Sequence, residues 1–242
     1  MINRTIIAIA VMVYLLAAGC AISVSTSAPT SNEQEPVYSP PANTAARVAG
    51  LPFCGCGIQI QRVDWIKRYE KCIDEVAHIG ADTVLLVVDA RMENGTSSKI
   101  YLDMRMTPTP DQLGALIDRA KADKLRVILM PIVLLDNPRG DEWRGTIKPE
   151  SWDTWWDSYR DMITQFSWIA EGHHADVLVI GSELVSTENN LAQWTRTISA
   201  VRKVFHGLIT YSANWDHYTS VPFWNQLDLI STNSYYKLGE NR

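Results

Sequence analysis

Positive charge is not in surplus in this 242-residue chain: 22 Lys and Arg stand against 27 Asp and Glu, a net charge of -5. A nucleic-acid partner would want a basic face, so that class of function is set aside. Cysteine is scarce, four in all. "CGC" at 54–56 lacks the second Cys or His cluster that a zinc site needs, and nothing in the sequence implies a metal or another cofactor. Cys54, Cys56 and Cys72 read as small buried thiols near a first strand; their odd number leaves one unpaired, and a bridge from Cys72 to one of the pair stays open. Phosphate-binding punctuation is missing too. The first strand leads into "QRVDW" without a glycine-rich turn, and there is no P-loop and no nucleophile-elbow serine.

Long apolar runs are also lacking. The stretch from Ile6 to Leu16 is too short to span a bilayer comfortably, and with Arg4 ahead of it the segment 1–19 reads as an export signal. Its ending, "LLAAGC", resembles the lipobox of bacterial lipoproteins, in which the cysteine, here Cys20, is acylated and becomes the mature N-terminus. Residues 20–48 are rich in Ser, Thr, Pro, Ala and Asn and carry no apolar periodicity, which makes them a flexible tether. The expectation is an exported bacterial lipoprotein, held at a cell-envelope membrane by its lipid, with a folded domain over 49–242.

Tryptophan, by contrast, is plentiful, at nine residues. Within the domain, apolar strands alternate with amphipathic helices. "GIQIQ" (57–61), "DTVLLVVDA" (82–90) and "RVILMPIVLLD" (126–136) read as strands, as do the apolar core of "ADVLVIGSELVS" (175–186), "LITYSANWD" (208–216) and "LDLISTNSYY" (227–236). Asp64, Thr109 with Pro110, and Ser151 are expected to start the intervening helices. Trp155, Tyr159 and Met162 recur at helical spacing and belong to a core. Repeated βα units with non-alternating strands imply a parallel sheet covered by helices. Without a phosphate turn, the fold expected is a (β/α)8 barrel with about six of its βα units in this chain.

In such folds the C-terminal ends of the strands converge on one face, where ligands bind. Those ends carry Arg62, Asp89, Asp136, Ser182, Glu183, Asn214, Trp215, Asn233 and Tyr235, and the long loop after the third strand carries Trp143 and Arg144. Amides and carboxylates suit sugar hydroxyls, and aromatic rings suit sugar C–H faces. Arg62, Asp89, Trp143, Ser182, Asn214, Trp215, Asn233 and Tyr235 are therefore candidate contacts to a polysaccharide or oligosaccharide. Glu183 is a lone acid delivered by a buried strand.

The segments "WRGTIKP" (143–149), "WDTWWDSYRDMI" (152–163), "VIGSEL" (179–184), "WTRTISAVRKVFHGLITYSANWD" (194–216) and "FWNQLDLISTNSYY" (223–236) together resemble glycoside hydrolase family 113, a clan A barrel family that includes β-mannanases. The resemblance implies a retaining two-carboxylate mechanism on β-mannan-like polysaccharide, with Glu183 as general acid/base. Its partner, a nucleophilic Glu, would follow a seventh barrel strand, and the sequence shows six. This chain alone is therefore expected to be an inactive fragment. The alternative is a noncatalytic glycan-binding or scaffold lipoprotein with a degenerate barrel. Ser182 stands where the clan usually has an Asn that contacts the sugar 2-hydroxyl.

Overall fold

The computed structural model describes residues 9–11 and 52–235. Cys20, the tether and Tyr236 lie outside the described residues, and of the expected export signal only a short backbone strand, β1 (Ile9–Val11), is described. The remaining strands are β2 (Gly55–Ile60), β3 (Thr83–Met92), β4 (Arg126–Leu135), β5 (Val177–Ser182), β6 (Leu208–Ala213) and β7 (Ser231–Asn233). Between them run α1 (Ile66–His78), α2 (Pro110–Ala122), α3 (Trp152–Gly172), α4 (Val185–Glu188) and α5 (Leu191–Arg202). None of the described helices is long and apolar enough to cross a membrane.

All strands are parallel, and β2 to β7 stand side by side in chain order, with β1 beside β7. A doubly wound sheet would reverse its order at a switch point. Here every crossover advances the same way, and right-handed connections then leave the helices on one face. The result is a curled half-barrel. Side-chain parity confirms which face is which. Val84, Leu86 and Val88 of β3 join Val127 and Leu129 of β4 in a core with Ile73, Leu116, Trp155 and Phe166 from the helices. The other parity meets no helix: Leu85, Val87, Ile128, Met130, Ile132, Val177, Val179 and Leu229 cluster among themselves as the barrel interior.

Local chemistry sets the helix starts. Thr109 forms a reciprocal capping box with Gln112 ahead of Pro110, and Ser151 accepts from Thr154 N at 3.3 Å. Asp64 does not cap α1. Residues 63–65 form a 3-10 turn, and the Asp64 carboxylate is taken by the Arg62 guanidinium at 2.7 and 3.0 Å. The thiol expectation is corrected as well. Cys54 and Cys56 are exposed and Cys72 is half-buried, because β2 is an edge strand of the described sheet, and all three thiols are free. The last two strands are shorter than their apolar patterns, 208–213 and 231–233, since Asn214, Trp215 and Leu227 sit in loops.

Two irregularities open the C-terminal face. The β4–β5 ladder runs only through Ile128–Val177 and Leu129–Leu178, stopping short of Pro131, which has no N–H to give. The β5–β6 register shifts between Val179 and Ser182. A bulge of this kind re-aims the next side chain, and that side chain is Glu183.

Candidate active site

Glu183 leaves β5 in the left-handed region, with φ at +54°. A non-glycine residue pays for that conformation unless its surroundings fix it. Here its N–H donates to Ser212 O (2.9 Å), and the next N–H, of Leu184, donates to the Tyr211 hydroxyl (2.8 Å). The carboxylate is almost wholly buried. Asn233 Nδ2 donates to one oxygen and the Arg144 guanidinium to the other. Sequence reasoning placed Asn233 at the site. It noted Arg144 but gave it no role, and the structure makes it the partner of Glu183.

Arg144 is delivered by a 3-10 turn, Arg144–Thr146, in the loop after β4. Gly145 gives the turn room there: a Cβ would lie 2.3 Å from the far edge of the Trp143 ring, which would have to move. Trp143 thus packs on its own turn while remaining 38% exposed. Asn233 is the hub of the opposite side. Its Nδ2 also reaches Asn214 Oδ1 at 3.0 Å, and its Oδ1 accepts from Trp215 N at 3.0 Å. Glu183, Asn233, Asn214 and Trp215 are therefore one hydrogen-bonded group drawn from three strand ends.

Asp89 lies on the inward parity of β3 and is fully buried. It accepts from Arg91 at 2.8 Å and from Gln59 at 3.4 Å. Burial pushes its carboxyl above the ordinary range, against the pull of Arg91, Gln59 and the nearby Arg144. Arg91 continues to Asp136 at 3.0 Å, which also accepts from the Tyr101 hydroxyl. Ser182 is buried in the sheet opposite Ser212 and is not among the hydrogen-bond partners of Glu183. Tyr235 is 57% exposed beyond β7. Arg62 is not drawn into the group: it forks onto Asp64, covers the Trp65 ring at 4.9 Å and lines a separate groove with Met104 and Met106.

A second polar cluster was not legible beforehand. Glu188 at the end of α4 is buried, accepts from the Tyr211 hydroxyl at 2.7 Å and lies 3.1 Å from His217 Nε2. Burial raises its carboxyl above the ordinary range, opposed by Tyr211 and His217. Tyr211 reads in sequence as a core strand residue, and nothing local marks an acid 23 positions away as its partner. Among the described residues no group of His, Cys, Asp and Glu is placed to hold a metal ion.

The arrangement offers a buried acid at a parallel sheet's C-terminal rim, held by an amide and a guanidinium, with Trp143 in the turn that carries Arg144 and Trp215 tied to Asn233. It can give or take one proton at a hydroxylated, uncharged ligand. A sequence model of glycoside hydrolase family 113 matches residues 56–242. A family 113 β-1,4-mannanase solved as a complex is 27% identical with a TM-score of 0.71, covering 76% of this chain and 62% of its own. The family 113 β-mannanase of Alicyclobacillus acidocaldarius, in complex with ManMIm, is 28% identical with a TM-score of 0.69, over 79% of this chain and 63% of its own. The chain thus spans less than two thirds of the length of these relatives. No curated protein sequence matches it.

Proposed function

Because the chain belongs to glycoside hydrolase family 113, we propose that it serves hydrolysis of β-1,4-linked mannan with retention of configuration, and that Glu183 is the acid/base. One observation carries the reading. Glu183 is the carboxylate that a bulged strand end, a left-handed backbone and two side-chain donors together hold at the rim.

In the first step the Glu183 carboxyl gives its proton to the glycosidic oxygen as the C1–O bond breaks, and a second carboxylate attacks C1 to form a glycosyl-enzyme. In the second step Glu183 takes a proton from water as that water attacks C1 and frees the nucleophile. The family resemblance assigns the second carboxylate to the end of a seventh barrel strand; β2 to β7 are the first six. Retaining pairs stand about 5 to 5.5 Å apart. Asn233 and Arg144 set the direction of Glu183, while Asn214, Trp215, Trp143, Asp89, Ser182 and Tyr235 are the proposed sugar contacts. The test is cleavage of mannohexaose by the full-length protein, meaning a form that includes the seventh-strand carboxylate (the 242 residues alone are expected to be inactive), followed by proton NMR of the first-formed product. The β anomer is expected; the α anomer, or no cleavage, would overturn the reading.

Localisation is proposed on sequence grounds alone. The small residues before Cys20 and the tether behind it support a lipid-anchored protein at the cell envelope. Full-length protein made in a bacterial host should enter the detergent phase and Cys20→Ala should not. Equal partitioning of both into water would remove the anchor.

A further inference from the structure

We propose that Tyr211 and Glu188 are positioning residues for Glu183: a buried hydroxyl–carboxylate pair that clamps the left-handed turn on which the acid stands. The functional part of this inference rests on the acid/base role given to Glu183 above.

A left-handed non-glycine residue persists only where its neighbours over-determine it. Glu183 has such neighbours on its C-terminal side. Leu184 N–H donates to Tyr211 Oη at 2.8 Å, and Leu184 C=O accepts from Thr187 N at 2.8 Å and Thr187 Oγ1 at 2.7 Å. Tyr211 is itself immobilised, its ring edge-on to Trp194 and Phe223 at centroid distances of 5.2 and 5.3 Å.

The part Glu188 plays follows from donor and acceptor counting. A phenol hydroxyl has one proton and can either donate or accept toward a neighbour. A carboxylate only accepts, so at 2.7 Å it forces the Tyr211 proton toward itself. The lone pair of Oη is then left facing the Leu184 amide. Burial and the facing Glu188 hold the Tyr211 phenol well above its ordinary pKa, so that proton stays in place. Glu188 is 1% exposed, and a buried carboxylate is costly unless it is hydrogen-bonded or paired, which is what the Tyr211 hydroxyl supplies. His217 Nε2 lies 3.1 Å from the other Glu188 oxygen, close enough for an ion pair but without hydrogen-bond geometry. The cluster thus fixes the backbone one residue beyond the acid.

The test uses three variants of the full-length protein and two readouts. Tyr211→Phe keeps the ring and removes only the hydroxyl. Glu188→Gln keeps an acceptor at the same distance, whereas Glu188→Leu removes it. The first readout is amide hydrogen exchange, which needs no turnover. Losing a buried hydrogen bond should speed exchange at Leu184 by about ten- to a hundred-fold in Tyr211→Phe and Glu188→Leu, with strand amides such as Leu178 unchanged and Glu188→Gln close to wild type. The second is kcat on mannosides of differing leaving groups. A displaced acid should cut kcat on unactivated mannohexaose at least about ten-fold, with KM unchanged, and spare glycosylation by a dinitrophenyl mannoside, which needs little protonation. Unchanged Leu184 exchange in both Tyr211→Phe and Glu188→Leu would overturn the clamp. So would equal kinetic losses on the two substrates. If wild-type protein cleaves neither substrate, the hydrolase reading falls while the exchange data still decide the clamp. Should Tyr211→Phe not fold, the contrast between Glu188→Gln and Glu188→Leu carries the same decision.

Discussion

Asn233 governs Glu183 more closely than any aromatic residue does. One amide spends its Nδ2 on Glu183 and Asn214 and its Oδ1 on Trp215 N, so truncation loosens three strand ends together. Hydrogen bonds to charged groups contribute about 1.5–3 kcal/mol. Asn233→Ala should therefore lower kcat/KM on mannohexaose by about ten- to a hundred-fold, and steady-state kinetics would check it. Much of this residue scale was legible. The structure brings Glu183, Asn233, Asn214 and Trp215 together as expected, because parallel strands deliver their last residues to one face, a rule that needs only the strand pattern. Arg144 was not given its role, since its partner is 39 residues away and a loop, with no periodicity to read, determines where the guanidinium lands. Arg62 differs: it stands at a strand end, yet the structure pairs it with an acid two residues on and not with the group around Glu183.

Elements were read best where a side chain speaks to its own backbone. Thr109–Pro110 and Ser151 begin helices as their chemistry requires, and the Thr109 box with Gln112 closes both ways. Thr109→Ala should cost about 1 kcal/mol in a denaturant melt. Asp64→Ala should leave the midpoint unmoved, because Asp64 is not the N-cap of α1 and its side-chain partner is the exposed Arg62. The same local reasoning missed α4, one turn long, which exists because Thr187 bonds back to Leu184 and Trp194 Nε1 donates to Thr187 O. It also overextended the last two strands. The expected strands run on to Asp216 and begin at Leu227, but pairing between β6 and β7 covers only Ser212–Ser231 and Ala213–Thr232. Length of pattern and length of ladder are separate quantities.

At the scale of the molecule, the two strand faces bear unequal duties. Leu129 sits at 0% exposure in the layer between sheet and helices, while its neighbour Met130 faces the barrel interior at 7%. Truncating either to alanine removes comparable volume, and core Leu or Met truncations cost about 2–5 kcal/mol depending on how far the site can collapse. Leu129→Ala should fall high in that range and Met130→Ala low, as read by urea unfolding; equal losses would mean that the interior is packed as tightly as the helix layer. The barrel class was legible because strands were apolar without alternation and lacked a phosphate turn. The crater's opening was not, since it depends on where the β4–β5 ladder stops and where β5 slips against β6.

These scales meet in the claim that Glu183 moves the proton in a retaining hydrolysis. The most direct measurement is the reaction of full-length Glu183→Gln with a dinitrophenyl β-mannoside, with and without azide. Loss of general acid catalysis should lower turnover of unactivated mannohexaose by about 10²- to 10⁴-fold, while the activated substrate still forms the glycosyl-enzyme. Azide needs no base to attack C1, so it should restore turnover and yield β-mannosyl azide, the retained configuration. Undiminished mannohexaose cleavage by Glu183→Gln, or an azide product of inverted configuration, would contradict the role assigned to Glu183.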